Sequence, residues 1–184
     1  DMSISGFRVN DTINGIKVNL LCPVVKSKTA GFSTKLIYEI SNSYFKNFVA
    51  EAKEKGKNDS VYHQLNIRTV FVNSKAGLIS CLMEEKAKFV GEEIRKSYFG
   101  VTYKKTDDKA LSFAEVFPID EANFDEFKLL FSTKADALSK KDFDESQFAI
   151  GKDSLYVFVG GKENGQTKFS ASIQSIEGFI INGK

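Results

Sequence analysis

Apolar and polar residues alternate with a period of two in several short runs of this chain, and one long stretch keeps a helical period. The first alternating runs, Phe7 to Ile13 and Ile16 to Val24, flank Asn14-Gly15. Asn-Gly between apolar runs is a strong hairpin signal, because both central residues of the favoured two-residue turn take positive φ. Ile16, Val18, Leu20 and Cys22 alternate with Lys17, Asn19 and Leu21, the pattern of a half-buried strand. Pro23 has no N–H to give, so it makes this strand an edge or ends its pairing.

The helical exception runs from Thr34 to Lys55. Leu36, Ile40, Tyr44, Phe48 and Ala52 fall on one stripe, joined by Ile37, Phe45 and Val49. Such a stripe faces a core. Gly56 closes the helix, and Asn58 and Asp59 make a polar turn. Alternation then resumes: Val61, His63, Leu65, Ile67, Thr69 and Phe71 share one face of a strand to Asn73. A turn at Lys75-Ala76-Gly77 leads into Leu78 to Glu85. Tyr98 to Lys105 follows, with a turn at Asp107-Asp108. These strands read as an antiparallel meander. Ser112 and Glu115 have capping-box spacing and predict a helical turn over Phe113 to Phe117. A helix is predicted over Glu121 to Phe131. Late strands are predicted over Leu155 to Val159 and Phe169 to Ile176, joined through Gly160-Gly161 and Asn164-Gly165.

The predicted fold class is α+β: an antiparallel β-sheet packed against one long N-terminal helix, with a shorter second helix and C-terminal strands. At 184 residues the chain is read as a single domain. A finer division gives 1–58, strand hairpin plus long helix, and 59–184, meander, helix and terminal strand pair. A chain of this size buries about 70% of its unfolded surface and needs no staples.

Charge changes the picture little. Lys and Arg number 26 against 24 Asp and Glu, a net +2 that does not predict a nucleic-acid footprint. Only Arg8, Arg68 and Arg95 are arginines, so forked oxyanion recognition is scarce and the lysines read as a solubility feature. No apolar run of about 18 residues offers a membrane span. The chain opens Asp1-Met2, which is not a natural start, so a leader or anchor is expected to precede it.

Candidate chemistry is sparse. Cys22 and Cys81 sit in apolar strand-like runs and are either two buried thiols or one disulfide between neighbouring strands. His63 is the single histidine, and its alternating position favours a structural role over catalysis. A metal site of several histidines is excluded, and no GxSxG elbow marks a nucleophile. Carboxylates cluster at Glu84-Glu85, Glu92-Glu93, Asp107-Asp108, Asp120-Glu121, Asp125-Glu126 and Asp142 to Glu145. Paired acids can hydrolyse glycosides, but acids at turns and helix starts usually cap or stay solvated. Asp142 to Glu145 lacks EF-hand spacing. Gly160, Gly161 and Gly165 lack the Lys-Ser/Thr ending and following helix of a P-loop, which leaves a hairpin connection. Asn10-Asp11-Thr12 and Asn58-Asp59-Ser60 match the glycosylation sequon. No catalytic, cofactor-binding or metal-binding residue is assigned, no cofactor is expected, and the ligand-binding residues stay unassigned.

One stretch, Leu111 to Val159, carries a family likeness. Leu111-Ser112-Phe113-Ala114-Glu115-Val116-Phe117 is a leucine, apolar, acid, phenylalanine step. Phe148-Ala149-Ile150, Gly151 to Ser154 and Leu155-Tyr156-Val157-Phe158 make a strand, a turn and a strand. With Leu21-Cys22-Pro23-Val24 and the helix from Thr34, this layout resembles the extracellular domain of anti-sigma-V factors (RsiV) and the accessory domain of the peptidoglycan deacetylase PdaC. Members of that family often carry a Gly-Gly-Ala-His-type loop. The corresponding region here is Phe89-Val90-Gly91-Glu92-Glu93-Ile94-Arg95, so no residue is carried over there. The resemblance implies a non-catalytic extracytoplasmic binding or sensing domain of a bacterial envelope protein, secreted or membrane-tethered. Its implied partner is a protein or a cell-wall (peptidoglycan) ligand. The alternatives are a carbohydrate-active enzyme domain using a carboxylate pair, or a carrier of a small apolar ligand.

Overall fold

The computed structural model describes residues 2–13, 16–27, 33–55, 63–104, 106, 109–131, 133–161 and 165–181. Its side chains are described from residue 39 onward, 133 and 134 excepted. The fold is α+β. Strands β1 (Met2–Ile13), β2 (Ile16–Ser27), β3 (His63–Lys75), β4 (Leu78–Lys88) and β5 (Arg95–Lys104) form one sheet in sequence order. Strands β6 (Gln147–Ile150), β7 (Ser154–Val159) and β8 (Thr167–Ser172) form a second, antiparallel sheet. Helix α1 spans Ser33–Glu54. The shorter helices are α2 (Phe113–Val116), α3 (Glu121–Leu129), α4 (Lys140–Asp144) and α5 (Ile173–Ile176).

By its internal contacts the chain divides into two compact units that alternate along the sequence. The first is 1–70 with 83–97; the second is 71–82 with 98–184.

In the first unit, β1 and β2 pair antiparallel from Met2 opposite Ser27 to Ile13 opposite Ile16. Asn14-Gly15 itself lies outside the described residues. The pairing of β2 with β3 is parallel, Ile16 beside His63 through Leu21 beside Arg68. The five-stranded sheet is therefore not wholly antiparallel, as the alternation had predicted. The physical reason is the intervening helix. A strand that leaves through a long crossover returns in the same direction, and α1 supplies that crossover. The β2–β3 pairing stops two residues before Pro23, while the pairing with β1 runs on to Ser27. Proline thus ends one ladder of this strand and spares the other. Strand β3 begins with strict alternation: His63, Leu65 and Ile67 are buried while Gln64, Asn66 and Arg68 are exposed. Helix α1 buries Ser41, Phe48 and Ala52, the last two on its predicted stripe.

The second unit is built on aromatic packing. Phe113, Phe117, Phe124, Phe127, Phe131, Phe143, Phe148 and Phe179 are linked ring to ring at centroid distances from 4.8 to 6.1 Å. Tilted and edge-on contacts of this kind add to area burial. Helix α2 starts on the predicted capping box: the Glu115 N–H donates to Ser112 Oγ, and Glu115 Oε2 accepts the Ser112 N–H at 2.7 Å. Helix α3 stops at Leu129, short of the predicted Phe131, and α4 opens on a second capping box, Ser139 with Asp142.

The predicted strand over Phe169–Ile176 is corrected by the structure. It ends at Ser172, and Ile173 to Ile176 form a helical turn. Ile173 and Ile176, three residues apart, are both buried, and only a helical turn brings that spacing to one face.

Main-chain proximity knits β6 into this unit. A Cβ placed on Gly100 would lie 1.5 Å from the Phe148 carbonyl oxygen, so only glycine fits. Ser80 Oγ bonds Thr102 Oγ1 at 2.8 Å and accepts the Ile150 N–H at 2.9 Å. Asn73 Nδ2 donates to the carbonyls of Ile150 and Gly151 at 3.2 and 2.9 Å. Gln166 spans Tyr98, accepting its N–H at 2.6 Å and donating to its carbonyl at 2.9 Å.

Candidate functional site

Strands β3, β4 and β5 place three cations around one buried carboxylate. Glu84, 2% exposed, accepts from Arg68 Nε at 2.7 Å and pairs with Lys96 Nζ at 2.7 Å and Lys86 Nζ at 3.5 Å. The alternation of β4 explains the layout. Glu85, Ala87 and Phe89 are buried on one side, while Glu84 on the other lies among the exposed Lys86 and Lys88. Burial works against the charge on Glu84, but the bonds from Arg68 and Lys96 outweigh it. The carboxyl is held down at about 2, well below its usual range.

The opposite side of these strands meets α1. There burial, and then the charge of Glu85, push the Tyr44 hydroxyl far above its ordinary range. Nearby, the Phe89 ring is the centre of a second cluster. Phe48 of α1 lies 4.9 Å from it and His63 meets it edge-on at 5.5 Å. Lys55 Nζ and Arg95 Cζ stand 4.7 and 4.6 Å from its centroid. Arg95 Nη2 donates to both oxygens of Glu51 at 2.8 Å, and Lys55 pairs with Glu92. The Val90 N–H donates to His63 Nδ1 at 3.3 Å. The segment Phe89 to Arg95, where the sequence departs from its apparent relatives, is therefore clamped to α1 by ion pairs and by one aromatic ring.

These contacts give most sequence candidates a structural position. His63 is 5% exposed, accepts a main-chain N–H and touches Phe89. Asp120 Oδ1 accepts the Asn123 N–H at the start of α3. Asp142 caps α4, where the hydroxyl and N–H of Ser139 hold its carboxyl below the usual range. Asp125 pairs with Lys128, Asp144 with Lys140 and Glu145 with Lys141. The Ser112 N–H, then Lys109 and the Ser112 hydroxyl, hold Glu115 at about 2. Glu84 and Glu85 are adjacent in sequence yet lie on opposite sides of β4. Asp107-Asp108 and Asn58-Asp59-Ser60 lie outside the described residues, and Asn10-Asp11-Thr12 lies within β1. Gly160 and Gly165 take positive φ of 105° and 78° in the connection between the antiparallel strands β7 and β8.

Cys81 is a free, buried thiol that burial pushes up to about 12. Of the two readings left open for the cysteines, Cys81 takes that of the buried thiol, and a thiol so protonated is a poor nucleophile. Among the described residues no group of three His, Cys, Asp or Glu side chains is placed to hold a metal ion. No helix there is long and apolar enough to cross a membrane.

Sequence reasoning missed the Glu84 cluster. Counting back from the Ala76-Gly77 turn, with Lys75 opposite Leu78, sets Arg68 across from Glu85. The structure bonds Arg68 to Glu84, one residue away. A one-residue offset moves a side chain to the other face, so the local pattern names the wrong partner.

No family model and no curated protein sequence matches the chain. Its fold is similar to that of two solved structures. One is a member of the DUF3298 family from Bacteroides fragilis, with a TM-score of 0.55 and 12% identity, over 98% of this chain and 94% of that one. The other is a DUF3298 family protein from Pseudomonas aeruginosa PAO1, with a TM-score of 0.57 and 10% identity, over 100% of this chain and 96% of that one. At such identities the likeness to the two structures is one of fold.

Proposed function

We propose that this chain is a non-catalytic extracytoplasmic binding or sensing domain of a bacterial envelope protein, recognising a cell-wall or protein ligand through a surface. The observation that supports this reading most is the end-to-end fold match to DUF3298 proteins, over 98% and 100% of this chain. Beside it stands the sequence layout, which resembles that of anti-sigma-V and PdaC-type domains. The acids point the same way. Glu115, Asp120 and Asp142 cap helices, and Glu51, Glu84 and Glu92 hold cations, so these carboxylates are engaged in structure rather than converging on a cleft.

Co-sedimentation with purified peptidoglycan sacculi, with released sugars and released acetate assayed in the same tubes, tests the reading. Retention on the sacculi with no released product is expected. Release of sugar or acetate overturns it, and protein that stays wholly in the supernatant removes the cell-wall ligand and leaves the protein ligand.

A further inference from the structure

We propose that the face of the large sheet turned away from α1 is a binding surface for a linear acidic polysaccharide. This deepens the envelope-binding reading and rests on it. The face is set by alternation. Gln64, Asn66 and Arg68 of β3 are exposed while their neighbours His63, Leu65 and Ile67 are buried. Lys86 and Lys88 of β4 are exposed while Glu85, Ala87 and Phe89 are buried. Lys96 of β5 joins them, since it and Arg68 both reach Glu84 from this side.

Glu84 is the one acid on this face among the described residues, and it is 2% exposed, whereas the side chains of Arg68, Lys86 and Lys96 are 53%, 46% and 47% exposed. The carboxylate sits below and the cations reach outward. What an arriving ligand meets is positive charge: Arg68, Lys86, Lys88 and Lys96. Along β4 the cations repeat every second residue, about 7 Å apart, a spacing suited to a polymer with repeated charges.

The chemistry beside the cations selects among polyanions. Gln64 and Asn66 present amides, which both donate and accept and so match the hydroxyls of a sugar. A single-stranded nucleic acid is the competing polyanion, and it is one arm of the test.

The test uses polygalacturonate as the probe in titration calorimetry at low ionic strength, with neutral dextran and a single-stranded oligonucleotide as comparisons. Polygalacturonate is expected to bind, to bind more tightly than either comparison, and to weaken as salt is added. The double variant Lys86→Gln, Lys88→Gln should lose at least tenfold in affinity. A variant with the same charge loss elsewhere, Lys141→Gln with Lys152→Gln, should change less than twofold. Circular dichroism checks that both variants fold. Absence of polygalacturonate binding, equal loss in the two variants, or equal or tighter binding of the oligonucleotide overturns the proposal. The sacculus assay keeps the two readings separate. Wild-type protein that pellets with sacculi but ignores polygalacturonate leaves the envelope reading standing and removes this one.

Discussion

Glu84 shows how one side chain can organise a region. It is buried, yet bonds from Arg68 and Lys96 hold its carboxyl low, and Lys86 stands close by. Removing its charge leaves three cations facing one another, and Glu84→Gln is expected to cost about 2 kcal/mol, the scale of a hydrogen bond to a charged group. Urea denaturation at neutral pH measures it. The pH dependence follows from the direction of the shift. The folded carboxyl lies at about 2 against an ordinary 4.5, so its contribution is complete above pH 4.5 and is lost as the pH falls towards 2. Glu115 and Asp142 are shifted the same way and add to this acid limb. The stability of Glu84→Gln should therefore fall less steeply between pH 4.5 and 2, without becoming flat. An unchanged acid slope would mean that Glu84 does not carry it. None of this was legible in the sequence, where Glu84-Glu85 is simply an acidic pair. Which of the two acids turns towards Arg68 depends on register, and register is a property of paired strands.

At the scale of elements, local signals served best where the cause was local. The Ser112–Glu115 capping box could be read directly, because donor and acceptor lie three residues apart on one turn. The α1 stripe, the β3 alternation and the turn at Ala76-Gly77 were readable for the same reason. The strand predicted beyond Ser172 was not, since Ile173 and Ile176 fit an apolar strand until the core they pack against is known. The parallel pairing of β2 and β3 also lay beyond local pattern, which does not say where a strand returns after a helix. The Ala76-Gly77 turn carries the prediction at this scale. Ala76 has φ of 50° and Gly77 of 75°. A positive φ costs a residue with a Cβ about 1–2 kcal/mol, and glycine very little. Ala76→Gly should therefore stabilise the protein by about 1 kcal/mol once glycine's greater entropy when unfolded is set against the relief. A lowered thermal midpoint for this variant would contradict the strain argued for the turn.

For the molecule as a whole, the α+β class was legible and its supporting contacts were not. Gly100 looks in sequence like an ordinary glycine after an aromatic residue. Only the structure shows the Phe148 carbonyl where its Cβ would stand. Gly100→Ala should cost about 3 kcal/mol, because the obstacle is main chain and cannot turn aside as a side chain would. Hydrogen exchange should then show faster opening of the β6 amides than in the wild-type protein. Exchange unchanged in β6 would show that the close approach is not maintained in solution.

The alternation of the two units along the chain bears on how the protein is made. Synthesis delivers residues from the N-terminus. The first unit needs Met83–Ser97, but Phe71–Leu82 of the second unit leaves the ribosome before that segment does. Neither unit can therefore close as its opening segment emerges. Leu78 and Leu82, both buried in the finished protein, pack against residues that lie beyond Ser97. During synthesis the segment from Phe71 to Leu82 is therefore complete before the residues it packs against exist.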